Sequence, residues 1–252
     1  MAIYTLAQLC DELTRTGGRI RTDSRDVRPG DIFVVLPGAA PDQPDRSAEH
    51  AADALTRGAK TMVLTPSLAA DLSEVAADLV VVDDTRLALG DMAAALHHTA
   101  SLPFPLIGVT GTNGKTTCAY LLEHLYRSTG RAVGVMGTVS YRWPGHDEPA
   151  PLTTPGCLAI HENLAAMRAA GVAAAVMEVS SHALDQRRVA GLSFAGALFT
   201  NLTQDHLDYH GDMERYFEAK RRLFLDTPER DKAVAINADD AYGRRLLNDM
   251  PG

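Results

Sequence analysis

Leu106-Ile-Gly-Val-Thr-Gly-Thr-Asn-Gly-Lys-Thr-Thr117 reads as a short apolar strand running into a glycine-rich turn and a Lys-Thr pair, and Cys118 to Ser128 continues with a helical pattern. Strand, glycine loop, Lys-Thr and helix in that order is the P-loop arrangement. Each residue type has a physical task there. Gly111, Thr112, Asn113 and Gly114 let backbone N–H groups close around phosphate oxygens, and the helix N-terminus adds a favourable dipole. Lys115 reaches the β and γ phosphates, Thr116 offers its hydroxyl to magnesium, and Thr117 completes the first turn. ATP and Mg2+ are therefore the expected ligands. The strict pattern requires glycine at position 109, where this chain has Val109. A glycine-rich connection with no ligand is the competing reading.

Downstream of this loop, strand and helix patterns alternate. Strands are expected at Ala132 to Val139, Ala173 to Val179, Ala195 to Thr200 and Ala233 to Asn237. Helices are expected at Leu158 to Ala170, Asp212 to Leu225 and Ala241 to Asn248. Alternation of this kind with nearly continuous apolar strands predicts a mostly parallel, doubly wound sheet covered by helices on both faces. Ligands of such sheets collect beyond the C-terminal ends of the strands.

Upstream, Ser101-Leu-Pro-Phe-Pro105 cannot continue a helix and predicts an extended connector. It separates a small N-terminal α/β domain, residues 1–98, from the P-loop domain, residues 99–252. Within the first domain Thr5 can cap a helix whose Leu6, Leu9, Cys10 and Leu13 share one face, ended by Gly17 and Gly18. Strands at Ile32 to Leu36, Thr61 to Leu64 and Leu79 to Val82 alternate with helices at Ala48 to Thr56 and Leu87 to His98. At 252 residues two domains are the natural expectation.

A hydrophobic fraction of 46% with 22% charged residues places the chain among packed globular proteins rather than disordered ones. The net charge of -8 argues against broad attraction to nucleic acid or anionic lipid, since both need a basic face. Cys10, Cys118 and Cys157 are odd in number and far apart, which suggests reduced thiols rather than a disulfide framework or a zinc site. The N-terminus lacks a basic stretch followed by an apolar core, and no apolar run approaches membrane-spanning length. A cytoplasmic protein without a membrane partner is expected.

Four segments together resemble the Mur ligase family of peptidoglycan synthesis. They are Thr22-Asp-Ser-Arg-Asp-Val-Arg-Pro-Gly-Asp-Ile-Phe33, the loop TGTNGKTT, Met177-Glu-Val-Ser-Ser-His-Ala-Leu184 with Arg188-Val189, and Thr200-Asn-Leu-Thr-Gln-Asp-His-Leu-Asp-Tyr-His-Gly211 leading to Tyr216-Phe-Glu-Ala-Lys220. The loop alone indicates a nucleotide enzyme. The ordered combination is similar to the ligases that add the third amino acid of the stem peptide.

The resemblance implies phosphoryl transfer from ATP to a D-glutamate carboxylate, followed by attack of an amino-acid amine on the acyl phosphate. Positioning and charge neutralisation dominate such chemistry. It further implies UDP-N-acetylmuramoyl dipeptide and an amino acid, with meso-diaminopimelate favoured over lysine, as the molecules this protein handles, and a monomeric state. Residue by residue, it implies that Glu178 and Thr116 hold one magnesium, and that His206 and Lys220, the latter as a carbamate, hold a second. It implies Ser24 beside the uridine part, Thr153 and Thr154 on the muramoyl peptide, and Ser180, Gln186 and Arg188 as further contacts.

Without the family, several of these residues fit plainer structural roles. Glu178 and the Thr153-Thr154 pair could cap the helices that follow them, and Arg188 could form a surface ion pair. Lys220-Arg221-Arg222 could be a solvated face. His206 and His210 could be a zinc pair with Asp205 or Asp208. The stretch Ala39 to Ser47 departs from the family's UDP-binding loop. The family also carries further strands and a C-terminal domain, so a chain ending at Gly252 is expected to be an incomplete ligase, inactive alone. A folylpolyglutamate or cyanophycin type of ligase and a nucleotide-binding regulatory remnant are the alternatives.

Overall fold

A computed structural model describes residues 4–38, 45–72, 77–226 and 232–250. Most of the stretch Ala39 to Ser47, where the sequence departs from the family it resembles, lies outside the described residues. The chain divides into two compact units, Met1–His98 and Thr99–Gly252.

The first unit contains α1 (Leu6–Thr16), β1 (Ile20–Arg21), a 3-10 turn at Ser24–Asp26, β2 (Ile32–Val34), α2 (Ser47–Thr56), β3 (Thr61–Leu64), α3 (Pro66–Asp71), β4 (Asp78–Val81) and α4 (Thr85–His97). Its strands form a parallel sheet in the order β1-β2-β3-β4. Thr5 opens α1 through a capping box, accepting from the Gln8 amide while the Gln8 side chain accepts from the Thr5 amide. Leu9 and Leu13 are buried, one turn apart on a single face. Strand β1 is only two residues long, and α3 begins with proline at its first turn; periodicity signals neither.

The second unit contains β5 (Leu106–Thr110), α5 (Lys115–Ser128), β6 (Val133–Met136), β7 (Ser140–Trp143), β8 (His146–Pro149), α6 (Cys157–Ala169) and β9 (Ala174–Glu178). It continues through α7 (Ser181–Asp185), β10 (Gly196–Phe199), α8 (Leu207–His210), α9 (Met213–Leu225), β11 (Ala233–Ile236) and α10 (Ala241–Asp249). The sheet order is β11-β10-β5-β9-β6-β7-β8. All neighbours are parallel except β6-β7 and β7-β8.

Alternation along β9 explains the double winding. Ala174 and Val176 point to one face, where they join Val109, Val133 and Val135 under α5. Ala175 and Met177 point to the other, with Ile160, Leu164 and Met167 of α6, Phe217 and Leu223 of α9, and Leu246 of α10. A strand buried on both faces needs apolar residues at every position, hence the continuous run.

The strand expected over Ala132 to Val139 is shorter than its apolar run. It ends at Met136, and the chain then turns at Gly137 into the antiparallel β7-β8 hairpin. Tyr-Arg-Trp-Pro-Gly-His-Asp-Glu, residues 141–148, is too polar to resemble the buried strands; its pairing at the sheet edge tolerates one solvated face.

Candidate functional site

The loop expected to hold phosphate connects β5 to α5 at the C-terminal side of the sheet. Gly111 has φ +142°, and a Cβ there would overlap Thr200 Oγ1 and lie 3.0 Å from the Asn201 carbonyl oxygen. Only glycine fits that approach. The end of β10 clamps the loop: the Thr112 N–H donates to the Asn201 carbonyl (2.8 Å), the Asn113 N–H to Asn201 Oδ1 (3.0 Å), and Thr200 Oγ1 to the Asn113 carbonyl (2.7 Å). Gly114, at φ +85°, stands at the N-cap of α5 with no side-chain cap. The first amides of this 14-residue helix are therefore left for an external acceptor, which an anion satisfies best.

Lys115 folds back over the loop, its Nζ donating to the carbonyls of Gly111 and Thr112, both at 2.9 Å. Burial lowers its pKa against the opposing pull of Glu178 and Asp205. Thr117 follows in the first turn of the helix. Val109, in place of the pattern's glycine, is fully buried in the core beneath α5, so a side chain is accommodated there.

Glu178 ends β9 and is almost completely buried. Its Oε2 accepts from Thr116 Oγ1 (2.9 Å) and Thr138 Oγ1 (3.0 Å), and its Oε1 accepts from the Thr138 N–H (3.1 Å). The helix-cap reading of Glu178 does not hold: Ser180 caps α7, accepting from the Ala183 N–H at 3.2 Å. Gly137 leaves room for the carboxylate, since a Cβ there would overlap Glu178 Oε1.

Lys220 corrects the reading of a solvated Lys220-Arg221-Arg222 face. It is 1% exposed, with its Nζ donating to the Gly111 carbonyl at 2.8 Å and lying 4.7 Å from the Tyr216 ring centre. Burial first, and then the charge of Lys115, lower its pKa well below the ordinary lysine value.

The side chains expected on the substrate side of this unit form one hydrogen-bonded group. Thr154 is buried, donating to the Glu178 carbonyl (2.8 Å) and accepting from the Ser180 N–H (2.9 Å). Thr153 Oγ1 lies 3.1 Å from Thr138 Oγ1. Arg188 donates to the Thr154 carbonyl (2.9 Å) and, through Nε and Nη2, to Gln186 Oε1 (3.0 and 2.8 Å). Ser24 belongs to the first unit, where it is buried in the turn after β1.

His206 takes a left-handed conformation (φ 53°) at the N-cap of α8, with Asp205 Oδ2 3.5 Å from its Nε2. Its ring meets His182 edge-on at 4.8 Å between centres, and His182 also contacts Tyr209 and His210. Burial pushes His210 down to about 4. Among the described residues no group of three or more His, Cys, Asp or Glu is arranged to hold a metal ion. The zinc reading of His206 and His210 with Asp205 or Asp208 is thereby corrected: the two rings pack in an aromatic cluster with His182, Tyr209 and Tyr216. Cys10, Cys118 and Cys157 form no disulfide, and among the described residues no helix is long and apolar enough to cross a membrane.

With this geometry in hand, residues 109–252 match the model of the Mur ligase middle domain. The chain belongs to the Mur ligase family. It is 48% identical over 248 residues to the UDP-N-acetylmuramoyl-L-alanyl-D-glutamate--2,6-diaminopimelate ligase of Lawsonia intracellularis, covering 98% of this chain and 50% of that protein. The enzyme of the same name from Geobacter sulfurreducens is 42% identical, with 98% and 49% covered. A solved structure of a 2,6-diaminopimelate ligase superposes with TM-score 0.74 at 34% identity, over 91% of this chain and 45% of that one. MurF ligase from Thermotoga maritima in complex with ADP shares the fold, with TM-score 0.54 at 21% identity over 95% and 48%. The chain thus spans about half the length of the curated relatives it matches.

Several residues of this candidate site carry no signal in the sequence alone. Thr138 and Gly137, which shape the seat of Glu178, lie in a stretch that reads as strand and have no telling spacing. Thr200, Asn201 and Tyr216, whose hydroxyl lies 3.1 Å from Thr112 Oγ1, fall inside the family-like segments. Their work is to fix the loop, a role visible only once β10 and α9 are seen beside it.

Proposed function

We propose that this chain forms the nucleotide-binding and carboxylate-activating part of a UDP-N-acetylmuramoyl-L-alanyl-D-glutamate--2,6-diaminopimelate ligase. The observation that carries the reading is the convergence on one loop of Lys115 and Lys220, which share the Gly111 carbonyl, and of Thr116, which donates to Glu178. The reaction moves the γ-phosphoryl group of ATP to the D-glutamate carboxylate, giving ADP and an acyl phosphate. The amine of meso-diaminopimelate then adds to the acyl carbon, inorganic phosphate leaves, and an amide remains.

In this scheme the uncapped amides of α5 and the Lys115 ammonium bind the phosphates, with Lys115 exchanging its two carbonyl partners for phosphate oxygens. Thr116 Oγ1 and Glu178 Oε2, 2.9 Å apart, are hard oxygen donors of the kind Mg2+ takes, so these residues fit that ion. Bound there, magnesium would neutralise charge on the transferring group. Lys220 as an ammonium does not fit a second cation. Its lowered pKa favours the neutral amine, the form able to take up carbon dioxide as a carbamate, and His206 would stand with it.

Thr153, Thr154, Ser180, Gln186 and Arg188 would receive the muramoyl peptide, and Ser24 the uridine part. On this reading residues 1–98 form the UDP-sugar domain and residues 99–252 the ATP domain of a monomeric cytoplasmic enzyme, and the net charge of -8 disfavours nucleic acid or membrane as a partner.

Calorimetric titration of the chain with ATP tests the reading. Saturable binding strengthened by Mg2+ in the native chain, and no longer strengthened by Mg2+ in Glu178→Gln, is the expected result. Preference for UDP-N-acetylmuramoyl dipeptide over a folate separates it from the folylpolyglutamate type. ATP binding that is absent, or indifferent to both Mg2+ and Glu178, would refute it.

A further inference from the structure

A cavity of about 700 Å³ lies between α5 and the β7-β8 hairpin, away from the phosphate loop. Its volume is within the ~300–1,000 Å³ common for small-molecule sites. One wall is a single face of α5, formed by Tyr120, Glu123, His124 and Arg127 at i, i+3, i+4 and i+7. The other wall is one pleat face of the hairpin. Ser140 pairs across to Pro149 and Arg142 to Asp147, so these four side chains stand on the same side.

The floor is a rigid polar assembly. Arg142 and Glu123 form an ion pair with side chains only 11% and 6% exposed, and the guanidinium lies 4.4 Å from the Tyr120 ring centre. Arg127 also reaches Glu123, at 2.9 Å. Two arginines therefore share one carboxylate; Arg142 stands on the hairpin with its guanidinium bonded to Glu123 and Ser140, so the positive charge on the helix side is that of Arg127. Asp147 supplies negative charge on the hairpin side. Between them stand the exposed ring of Tyr120, 44% accessible, and Val139, 54% accessible. A pocket with Arg127 exposed at one wall, Asp147 at the other, a neutral Arg142–Glu123 pair at its floor and apolar surface between them matches a molecule that carries one charge of each sign.

We propose that this cavity is a binding site for a zwitterionic α-amino acid bearing an apolar or aromatic side chain. The carboxylate faces Arg127, the ammonium faces Asp147, and the side chain lies against Tyr120 and Val139. This site is independent of the nucleotide site and of the function proposed for it. It nevertheless touches both elements that build that site, since α5 begins at Lys115 and Val139 follows Thr138.

The test is 1H–15N NMR of the full 252-residue chain titrated with L-phenylalanine, 3-phenylpropionate and 2-phenylethylamine. L-Phenylalanine should give saturable shifts centred on Tyr120, His124, Val139 and Ser140. Each analogue, lacking one charge, should bind about tenfold more weakly, as should Arg127→Ala and Asp147→Asn. Both variants alter exposed side chains, so spectra unchanged outside the cavity will show that the fold is intact. The proposal is overturned by the absence of saturable shifts up to ~50 mM, by shifts centred elsewhere, or by equal binding of the three compounds.

Discussion

Replacing Gly137 by alanine adds no more than a methyl group, yet it should disable the seat of Glu178. The new Cβ would overlap Glu178 Oε1 and stand 2.9 Å from its Cδ and 3.2 Å from its Cγ. Unstrained carbon contacts lie near ~3.5–4.0 Å, so the carboxylate must withdraw by about 1 Å. Its bonds from the Thr138 N–H and Thr138 Oγ1 are already 3.1 and 3.0 Å long and would both be lost. Hydrogen bonds to a charged group contribute about 1.5–3 kcal/mol each, and partial relaxation should bring the net cost to about 2–4 kcal/mol. Urea unfolding of the native chain, Gly137→Ala, Glu178→Ala and the double variant measures this directly. In the Glu178→Ala background the obstructing carboxylate is gone, and Gly137→Ala should then cost under about 1 kcal/mol. Magnesium-dependent strengthening of ATP binding should disappear in Gly137→Ala while magnesium-independent binding survives. Equal cost of Gly137→Ala in both backgrounds would refute the reasoning.

Three further outcomes are expected. Lys115→Met should weaken ATP binding by about 30- to 150-fold in calorimetry, the equivalent of one or two charge-assisted hydrogen bonds, with circular dichroism unchanged; affinity within about threefold of native would exclude a phosphate-binding role for Lys115. Lys220 has a folded pKa lowered by burial and by Lys115, so the folded state binds fewer protons than the unfolded state, and this group makes stability rise with pH from its folded pKa up to ~10.4. Lys220→Met should flatten that rise by at most about 1.4 kcal/mol per pH unit, and an unaltered slope in denaturation series across this window would count against a lowered Lys220 pKa. In the first unit Asp31 is fully buried; desolvation works to raise its pKa, but bonds from Arg19 (2.5 Å), the Arg28 N–H (3.1 Å) and Arg21 (3.1 Å) outweigh it and hold it low. Its contribution is present above the unfolded carboxyl pKa of ~3.9 and lost as pH falls through the folded one, so Asp31→Asn should cost about 1.5–3 kcal/mol at pH 7, with the gap to the native chain closing in acid.

Strands buried on both faces were the most legible part of the sequence. Leu106 to Val109, Ala173 to Val179 and Ala195 to Thr200 are apolar except at Glu178 and Thr200, near their C-terminal ends, because helices cover each side of the sheet, and they fall within a residue or two of β5, β9 and β10. The β7-β8 hairpin was not legible, because an edge hairpin needs only one apolar face and its alternation is masked by Arg142, Trp143 and His146. Helices α7 and α8 stay hidden for a different reason: at five and four residues they are shorter than any period that could reveal them. Their existence depends on tertiary seating, with Ser180 capping the first and Gly211 ending the second.

The candidate site divides along the same physical line. Local chemistry announced the loop, since its glycines, Lys115 and Thr116 do their work within a single short stretch. Glu178 and Lys220 act across 62 and 109 residues of chain, bonding to Thr116 and Gly111 respectively. From local sequence Lys220 looked like a solvated cation beside Arg221 and Arg222. Helix α9 resolves the difference: Tyr216, Ala219, Lys220 and Leu223, at i, i+3, i+4 and i+7, share its buried stripe, whereas Arg221 and Arg222 turn toward Asp249 and Asp185. A lysine within an otherwise apolar stripe must find an acceptor or lose its proton. Its Nζ donates to the Gly111 carbonyl, which Lys115 also uses, and the charge of Lys115 works with burial to lower the Lys220 pKa. A negative charge between the two lysines offsets their repulsion, which is what a phosphate, or a carbamate on Lys220 itself, would provide.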